Sequence, residues 1–326
     1  MHICLVINAS LPSKFYGGTQ RVVFSLGKAL HRLGHKVTFL AKKSEIDFAD
    51  VVLLNPNESL DSQVPKGVDI VHMHGNFSVP NNFPSCQTMH GNSREAKTLH
   101  PNTIFVSKRH AKNHGGYAYV HNGIDPEAYG PIDFDCKRDS FVFLANAAWG
   151  VKNVKGAIKV ASIVKSPIDI LGGRRLNFRM GFRLTLSLNA RFYPEVDDLS
   201  KSIFLQQARG LIFPVLWEEP FGLAIVESLY FGVPIFGTPY GSLPEIVNDR
   251  VGYISNSAGD LALAASNWES FDRKEIHTYW KNNFTAEIMA KKYIEYYKVI
   301  IGGKNLHPRE LAAEASRSPK LFKWNS

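Results

Sequence analysis

Two glutamates, eight residues apart, flank the start of a predicted helix in the second half of the chain. The stretch PVLWEEPFGLAIVE follows an apolar strand and places Glu219 before the helix and Glu227 inside it. A helix that opens at the carboxyl end of a strand presents unpaired N–H groups and a positive dipole end, which suit an anion such as a diphosphate. An ionised glutamate accepts two hydrogen bonds at once and suits sugar or ribose hydroxyls. The spacing alone is equally compatible with two solvated carboxylates on an amphipathic helix.

The longer pattern around these glutamates resembles the donor-binding signature of glycosyltransferase family 4, whose members are retaining enzymes of the GT-B type. The similarity extends from EEPFGLAIVE through SL at 228–229 and GVPI at 232–235 to GSLPEIV at 241–247. It implies that Glu219 contacts the transferred sugar as a catalytic residue and that Glu227 binds the donor ribose. It also implies donor contacts from the backbone amides of Phe221, Gly222, Leu223 and Ala224.

A glycine pair lies in the turn between the predicted first strand and first helix, in the stretch FYGGTQR at 15–21. Glycines in such a turn allow close backbone approach to a phosphate or sugar, although most such pairs only shape a turn. The stretch resembles the glycine loop of the same family, which lies beside the donor diphosphate and acceptor. Gly17 and Gly18 are therefore candidate donor contacts.

Seven of the twelve histidines lie between residues 72 and 121. His72 and His74 would share one face of a strand, but no acid or cysteine at suitable spacing completes a metal site, so structural or solvent-exposed histidines are expected. His90 differs because it ends an apolar strand, where ligands of parallel sheets bind. By resemblance, His90 is the second catalytic candidate, orienting the sugar and stabilising positive charge through its carbonyl or ring. The alternative is a capped core histidine.

Candidate acceptor contacts lie in the loops that follow the later strands of the first half. Asn92 and Arg94 belong to the loop after His90, and Asn122 belongs to the stretch HNGID at 121–125. That stretch resembles a turn that closes the first domain in the family, and Asn-Gly is also a general turn signal. A mainly structural role is therefore expected for it.

Phosphate neutralisation is where the chain departs from the family pattern. The family carries an arginine after the first strand of the second domain and a lysine-glycine a few residues later. Here Asn146 follows that strand, and the cations downstream are Lys152 and Lys155. Charge stabilisation is expected from these two lysines, although lysine is a less geometrically selective phosphate partner than arginine. The missing arginine also motivates the alternative of a non-catalytic nucleotide- or glycan-binding protein.

Short apolar runs alternate with helical or loop segments along both halves of the chain, which is typical of parallel α/β units. The clearest helix is predicted over 17–34, with an apolar stripe from Val22 to Leu33 and Gly34 as its stop. Strands are predicted in the first half at 3–8, 36–41, 51–54, 69–72, 86–90, 103–107 and 118–121, and in the second half at 141–145, 168–171, 210–215, 234–236 and 251–254.

The fold class predicted from these elements is α/β, with two doubly wound Rossmann-like domains facing a central cleft, as in GT-B enzymes. The length of 326 residues suits two domains. We expect an acceptor-side domain over 1–130 and a nucleotide-sugar-binding domain over 131–285. A terminal helix that packs back on the first domain, followed by a polar tail, is expected over 286–326.

The composition of the chain indicates its cellular compartment and the classes of partner that it could bind. The three scattered cysteines fit a reducing cytoplasm, and no stretch is long and apolar enough for a membrane span or has the form of a signal peptide. The net charge of +9 is spread over both halves, which argues against nucleic acid as a partner. It is compatible with an anionic donor, an acidic glycan or peripheral contact at a membrane.

The expected function is transfer of a sugar from a nucleotide-sugar, with UDP favoured over GDP, to a glycan, lipid-linked or small-molecule acceptor. We expect no cofactor and no metal, because the Asp-x-Asp at 133–135 lies in a linker predicted over 126–138 rather than at the end of an apolar strand. A nucleotide-sugar 2-epimerase is an alternative of the same architecture. A dinucleotide-dependent oxidoreductase lacks support, since no Gly-x-Gly-x-x-Gly follows the first strand.

Overall fold

The chain divides into two compact units. The computed structural model describes residues 1–13, 17–93, 95–178, 180–194, 196–313 and 321–326. The first unit comprises Met1–Asp125 and Phe284–Arg317, and the second comprises Pro126–Asn283 and Ser318–Ser326. The division thus falls after Asp125 rather than at residue 130. The end of the chain is shared between the two units and does not form one terminal segment.

The first unit begins as an alternation of parallel strands and helices. Its elements up to residue 125 are β1 (His2–Ile7), α1 (Gly18–Arg32), β2 (Lys36–Ala41), β3 (Asp50–Leu53), α2 (Leu60–Gln63), β4 (Ile70–Met73), β5 (Ser85–Met89), β6 (Lys97–Thr98), β7 (Thr103–Phe105) and α3 (Lys108–Asn113).

Six of these strands form one parallel sheet in the order β3-β2-β1-β4-β5-β7. The central strand β1 aligns Leu5 with Phe39 of β2 and with His72 of β4. Since β1 is followed by β2 on one side and β4 on the other, the strand order reverses at β1. This is the doubly wound order, in which ligands bind at the carboxyl edge of the reversal point.

Helix α1 forms as its sequence predicts. Val22, Val23, Leu26, Ala29 and Leu30 are buried along one side. The helix ends in a Schellman arrangement, in which the amide of Gly34 donates to His31 and that of His35 donates to Leu30. Gly34 has φ +82°, a conformation that glycine adopts at little cost.

The second unit repeats the alternation. Its elements are β8 (Ser140–Leu144), α4 (Val154–Ile163), β9 (Ile168–Leu171), β10 (Leu176–Asn177), β11 (Arg183–Leu184), β12 (Ala190–Tyr193), α5 (Asp198–Gln206), β13 (Ala208–Phe213), α6 (Leu223–Tyr230), β14 (Ile235–Gly237), α7 (Leu243–Ile246), β15 (Gly252–Ile254), α8 (Ala258–Ser266) and α9 (Arg273–Asn283).

Its six-stranded parallel sheet has the order β12-β9-β8-β13-β14-β15, which is the doubly wound order again. The buried core between the sheet and α4 and α8 is built on Phe141, Phe143, Ile170 and Phe236. The predicted pair of parallel α/β domains is therefore confirmed. Strand β12 and the β10–β11 hairpin were not predicted, and the strand predicted at 118–121 is reduced to one isolated bridge, between Tyr119 and Phe105.

The last helix, α10 (Ala286–Ile301), returns to the first unit, as does the short strand β16 (Ala312–Ala313), which pairs with β6. Helix α10 places two buried tyrosines over the sheet. The Tyr297 hydroxyl lies 2.7 Å from Nδ1 of His72, and the Tyr293 hydroxyl lies 3.0 Å from the Thr88 hydroxyl, which in turn lies 2.7 Å from Nε2 of His72. A fully buried polar side chain in the middle of the sheet is thus satisfied on both nitrogens.

Among the helices within the described residues, none is both long enough and apolar enough to cross a membrane.

We predict that Tyr297→Phe destabilises the first unit by about 1–3 kcal/mol, because the buried Nδ1 of His72 loses its partner. Urea denaturation followed by far-UV circular dichroism measures this change. The matched control is Tyr253→Phe, which removes a hydroxyl from a tyrosine that is 44% exposed. Equal stability of the two variants would contradict the assignment.

Candidate functional site

The predicted donor residues of the second unit follow its two central strands. Strands β8 and β13 are neighbours in the sheet, and the strand order reverses between them. The loop after β8 carries Asn146 and Lys152, and the loop after β13 carries Glu219. Because the carboxyl ends of parallel strands share one edge, the reversal brings these loops together.

Glu219 is a buried carboxylate held by two donors. Its Oε2 lies 2.5 Å from Nζ of Lys152 and accepts a 2.6 Å hydrogen bond from Nε1 of Trp217. The same ammonium lies 5.0 Å from the centroid of the Trp217 ring and 5.4 Å from that of Phe213. Two donors on one oxygen fix the orientation of the carboxylate. Trp217, which lies two residues before Glu219, was not among the predicted site residues.

The backbone of the Glu219 loop is braced by Gly241 and Ser242. A Cβ at Gly241, whose φ is +62°, would lie 2.2 Å from the Glu219 nitrogen, so only glycine fits there. The Ser242 amide donates to the Glu219 carbonyl at 2.9 Å, and its hydroxyl donates to the Phe221 carbonyl at 2.6 Å. The GSLPEIV stretch therefore supports the glutamate loop, which explains why both belong to one sequence pattern.

Helix α6 begins directly after this loop. Gly222 caps it with φ +86°, and Leu223 and Ala224 form its first turn, close to the predicted start. Backbone amides of a first turn have no partner within the helix, so they are available to an anion. Phe221 is buried beneath the turn and contributes its main chain to the loop.

Glu227 lies inside α6 and is also paired with a lysine. Its Oε1 lies 2.6 Å from Nζ of Lys201 on α5 and accepts a 2.7 Å hydrogen bond from the Tyr129 hydroxyl. The Lys201 ammonium lies 5.0 Å from the centroid of the Tyr129 ring, and all three side chains are buried. Neither Lys201 nor Tyr129 was predicted, because each lies far from the glutamate in sequence and outside any recognised motif.

The lysines predicted to neutralise a diphosphate have different environments. Lys155 is exposed in the first turn of α4, and Asn146 is exposed with its Oδ1 accepting from the Ala148 amide at 3.0 Å. Lys152, by contrast, is engaged with Glu219 rather than standing as an independent cation. The pairing arises because a buried carboxylate requires a compensating charge.

A cavity of about 450 Å³ in the first unit is lined by two of the other predicted residues. It lies beyond β4 and β5 and is lined by His90 and Asn92, together with Thr19 from the first turn of α1. Further polar side chains around it are Asn76, Gln87, Glu95 and Lys97.

Two histidines of this cavity contact each other. Nδ1 of His74 lies 2.9 Å from Nε2 of His90, while the buried Nε2 of His74 has no hydrogen-bond partner among the described residues. Burial lowers the pKa of His90 to about 4, and burial together with the neighbouring His72 and His90 lowers the pKa of His74 well below its usual value. Both rings are therefore neutral near pH 7, and His90 offers a dipole rather than a positive charge.

The remaining predicted residues of the first unit do not all lie near the cavity. Gly17 caps α1 and Gly18 is its first residue, next to the cavity-lining Thr19, where a Cβ on Gly17 would lie 2.0 Å from Oε1 of Gln20. Asn122 is buried away from the cavity lining, and its Oδ1 has no partner within the described ranges. Arg94, and Phe15 and Tyr16 of the glycine turn, lie outside the described residues.

The HNGID turn has structural contacts. Asp125 is buried and ion-paired with Lys28 at 2.9 Å and with Arg32 at 3.4 Å. A Cβ at Gly123 would lie 2.2 Å from the Thr285 carbonyl oxygen. Within the part of the chain that the structure describes, no group of three histidine, cysteine or acidic side chains is arranged to hold a metal ion.

Comparison with known proteins agrees with this arrangement. Residues 134–283, which make up nearly all of the second unit, match the family described as glycosyl transferases group 1. A relative named as an uncharacterised protein in the cps region of Klebsiella pneumoniae is 27% identical over 160 residues. The match spans 46% of this chain and only 42% of that protein.

Solved structures are similar over most of the chain. A glycosyltransferase involved in avilamycin A biosynthesis superposes with a TM-score of 0.79 at 20% identity, covering 93% of this chain and 98% of that one. The Anabaena protein HepE, solved in complex with UDP-glucose, superposes with a TM-score of 0.62 at 14% identity, covering 91% and 99%. At these identities the likeness concerns the fold, which is that of the GT-B glycosyltransferases.

The buried histidines predict a pH-dependent stability of the first unit. Unfolded histidine has a pKa of about 6.5, so below that pH the unfolded chain binds protons that the folded chain does not. Stability should therefore fall as the pH decreases from about 6.5 towards 4, with His90 alone contributing about 1–2 kcal/mol at pH 5.

Urea denaturation at neutral and acidic pH tests this prediction with His90→Gln, which should weaken the dependence. The control His31→Gln changes an exposed histidine of the same unit and should leave the dependence as in the wild type. An unchanged dependence in His90→Gln would show that the His90 imidazole does not stay neutral in the folded unit at acidic pH.

Proposed function

We propose that this chain, whose residues 134–283 match the group 1 glycosyl transferases, moves a sugar from a nucleotide-sugar to an acceptor hydroxyl. The observation that carries the proposal is the oriented Glu219 carboxylate beside the first turn of α6. The carboxylate suits the hydroxyls of the transferred sugar, and the helix amides suit the diphosphate.

The Lys152–Glu219 pair supports a separate role for each side chain in the proposed reaction. Both strong contacts of Glu219 fall on Oε2, so Oε1 is the oxygen for a sugar hydroxyl. Lys152 holds the carboxylate in place while adding positive charge near the helix start. Preorganised charge of this kind stabilises a developing negative charge without reorganisation during the reaction. Lys155, exposed on α4, supplies a second cation for the leaving diphosphate.

The proposed step breaks the bond between the anomeric carbon and the diphosphate oxygen and forms a bond from that carbon to the acceptor oxygen. The acceptor proton passes to the departing phosphate oxygen, and the nucleoside diphosphate leaves. This chemistry requires no metal and no covalent cofactor. Retention of the anomeric configuration is part of the proposal and rests on the resemblance to family 4.

The Glu227–Lys201–Tyr129 cluster is the proposed site of the nucleoside. A carboxylate fixed by a lysine and a tyrosine accepts hydrogen bonds from a ribose in one defined orientation. We favour a UDP-sugar as the donor and a GDP-sugar next. The preference for UDP is supported by the Anabaena structure that contains UDP-glucose.

The cavity of the first unit is the proposed acceptor site. Its lining combines amide, carboxylate, ammonium and imidazole groups, which suit the hydroxyls of a glycan, a lipid-linked glycan or a small molecule. His90 and Asn92 contact the acceptor or transferred sugar in this proposal. The neutral state of His90 lets its ring accept or donate a hydrogen bond near developing positive charge.

We predict that Glu219→Gln lowers turnover by roughly 100- to 1,000-fold, because the amide no longer offers the charged acceptor that the transition state requires. Sugar transfer or donor hydrolysis measures the loss. The matched control Glu269→Gln changes an exposed glutamate of the same unit and should keep wild-type turnover.

Glu219→Gln also leaves the partly buried Lys152 ammonium without a carboxylate, which costs about 3 kcal/mol. The double variant Glu219→Gln/Lys152→Met removes that charge and should recover stability without recovering turnover. A double variant that regains both would assign Glu219 a structural role.

A donor panel tests the reaction class. Thermal shift and hydrolysis are measured across UDP-, GDP-, ADP- and dTDP-sugars without added metal. We expect stabilisation by UDP-sugars and slow release of the sugar from them. Conversion of the donor to its 2-epimer without an acceptor would indicate an epimerase instead. Stabilisation without any turnover, even with acceptors supplied, would indicate a binding protein.

A further inference from the structure

The connection between β9 and β12 exposes an apolar surface on the second unit. It contains the β10–β11 hairpin and continues to Asn189, and we call residues 172–189 the apolar hairpin. Parallel neighbours such as β9 and β12 are usually joined by a helix that packs on the sheet. Here the connection leaves the carboxyl edge of β9, the same edge that carries the Glu219 loop.

The side chains of the apolar hairpin are arranged in the opposite way to those of an ordinary surface strand. Every second residue is large, apolar and exposed, with exposed fractions from 45% to 90% for Leu176, Phe178, Met180, Phe182, Leu184, Leu186 and Leu188. Most of the alternate described positions are polar and at least partly buried, namely Arg175, Asn177, Arg183, Thr185 and Ser187, whereas Gly181 and Asn189 are exposed. A half-buried strand normally turns its apolar side to the core and its polar side to water.

Two inward arginines hold this arrangement in place. Arg175 donates to the carbonyl oxygens of Thr185, Ser187 and Ala190, at 3.2, 2.7 and 2.6 Å. Arg183 is buried and donates to the Arg174 carbonyl at 3.0 Å. Because the arginines are anchored to main chain beneath the hairpin, the apolar residues cannot turn inward without breaking these bonds.

The exposed side chains are close enough to act together. Residues 176 and 184 are directly paired across the hairpin, and the rings of Phe178 and Phe182 lie 5.7 Å apart at its tip, on either side of Met180. Apolar patches of this kind on soluble proteins mark surfaces that bind a partner or a membrane.

The charge of the apolar hairpin indicates whether a second copy of the chain or a lipid surface covers it. Residues 172–189 contain four arginines and no aspartate or glutamate. Arg174 is exposed, whereas Arg175 and Arg183 are bonded to main chain. In a symmetric contact between two copies the same patch would face itself, and residues 172–189 offer no carboxylate to pair with Arg174. An anionic lipid surface instead offers acyl chains to the apolar residues and phosphates to Arg174.

We propose that the apolar hairpin docks the second unit on an anionic lipid bilayer, with Phe178, Met180 and Phe182 inserted among the lipids. The proposal is independent of the transfer chemistry, since none of these residues belongs to the Glu219 or Glu227 clusters. The net charge of +9 is compatible with peripheral contact at a membrane, and the proposal places that contact at the apolar hairpin.

The test is flotation of the full chain with vesicles made of equal parts phosphatidylglycerol and phosphatidylcholine. Wild type should float with them, and the variant Phe178→Ser/Met180→Ser/Phe182→Ser should show a partition coefficient lower by about 100-fold or more. Vesicles of phosphatidylcholine alone should bind the wild type much more weakly, because they lack the charge that attracts arginine.

The matched control is Ile163→Ser/Tyr253→Ser/Leu263→Ser, which removes three other exposed apolar side chains from the second unit. It should bind the anionic vesicles like wild type. If thermal unfolding shows that the tip variant, Phe178→Ser/Met180→Ser/Phe182→Ser, is destabilised, Leu186→Ser/Leu188→Ser provides a second test. The same loss of binding is expected for it. Hydrolysis of the nucleotide-sugar should persist in both hairpin variants.

Three results would overturn the proposal. They are no flotation of the wild type with anionic vesicles, equal flotation of wild type and both hairpin variants, and equal binding to anionic and neutral vesicles. Sedimentation without lipid adds a fourth. A wild-type dimer that the tip substitutions convert to a monomer would identify the apolar hairpin as an interface between copies.

Discussion

The reversal of strand order in a parallel sheet is the constraint on which both units depend. On either side of the reversal the connections leave in opposite directions, so the carboxyl edge between the two central strands is covered only by short loops. The first unit has this opening between β1 and β4, and the second has it between β8 and β13. The glycine turn and His74 follow the first pair of strands, and Lys152 and Glu219 follow the second. Chemistry-bearing residues therefore stand directly after strands in both halves of the sequence.

Two lysine–glutamate pairs with buried carboxylates give the second unit its electrostatic character. Taking both charges of such a pair out of water is costly, and their attraction repays that cost only when geometry and additional hydrogen bonds are good. Trp217 completes the first pair and Tyr129 completes the second. Such pairs are weak evidence for stability but give each carboxylate one orientation. Where the family pattern has an arginine, this chain has Asn146. Its charge arrangement differs, because Lys152 pairs with the Glu219 carboxylate itself.

Most of the elements around the candidate site could be predicted from sequence, because local signals determine them. The apolar stripe and Gly34 specify α1, and the apolar run before PVLWEEPFGL specifies β13 and the start of α6. Lys201 and Tyr129 could not be predicted, since their proximity to Glu227 arises only when α5 and the segment before β8 pack against α6. The burial of His72 could not be predicted from sequence either, because its partner Tyr297 lies more than two hundred residues further along the chain. The apolar hairpin escaped prediction because the arginines that turn its apolar side outward bind main-chain carbonyls, which leave no pattern in sequence.

The return of α10 to the first unit has a consequence for biosynthesis. The sheet of that unit is translated first, yet the tyrosines that satisfy His72 and Thr88 emerge from the ribosome only after the whole of Pro126–Asn283. The second unit, continuous except for its last short segment, has its complete sheet before the first unit has its covering helix. The order of completion is therefore the reverse of the order of synthesis, and the nascent first unit carries an uncovered sheet face for more than a hundred and fifty residues of elongation.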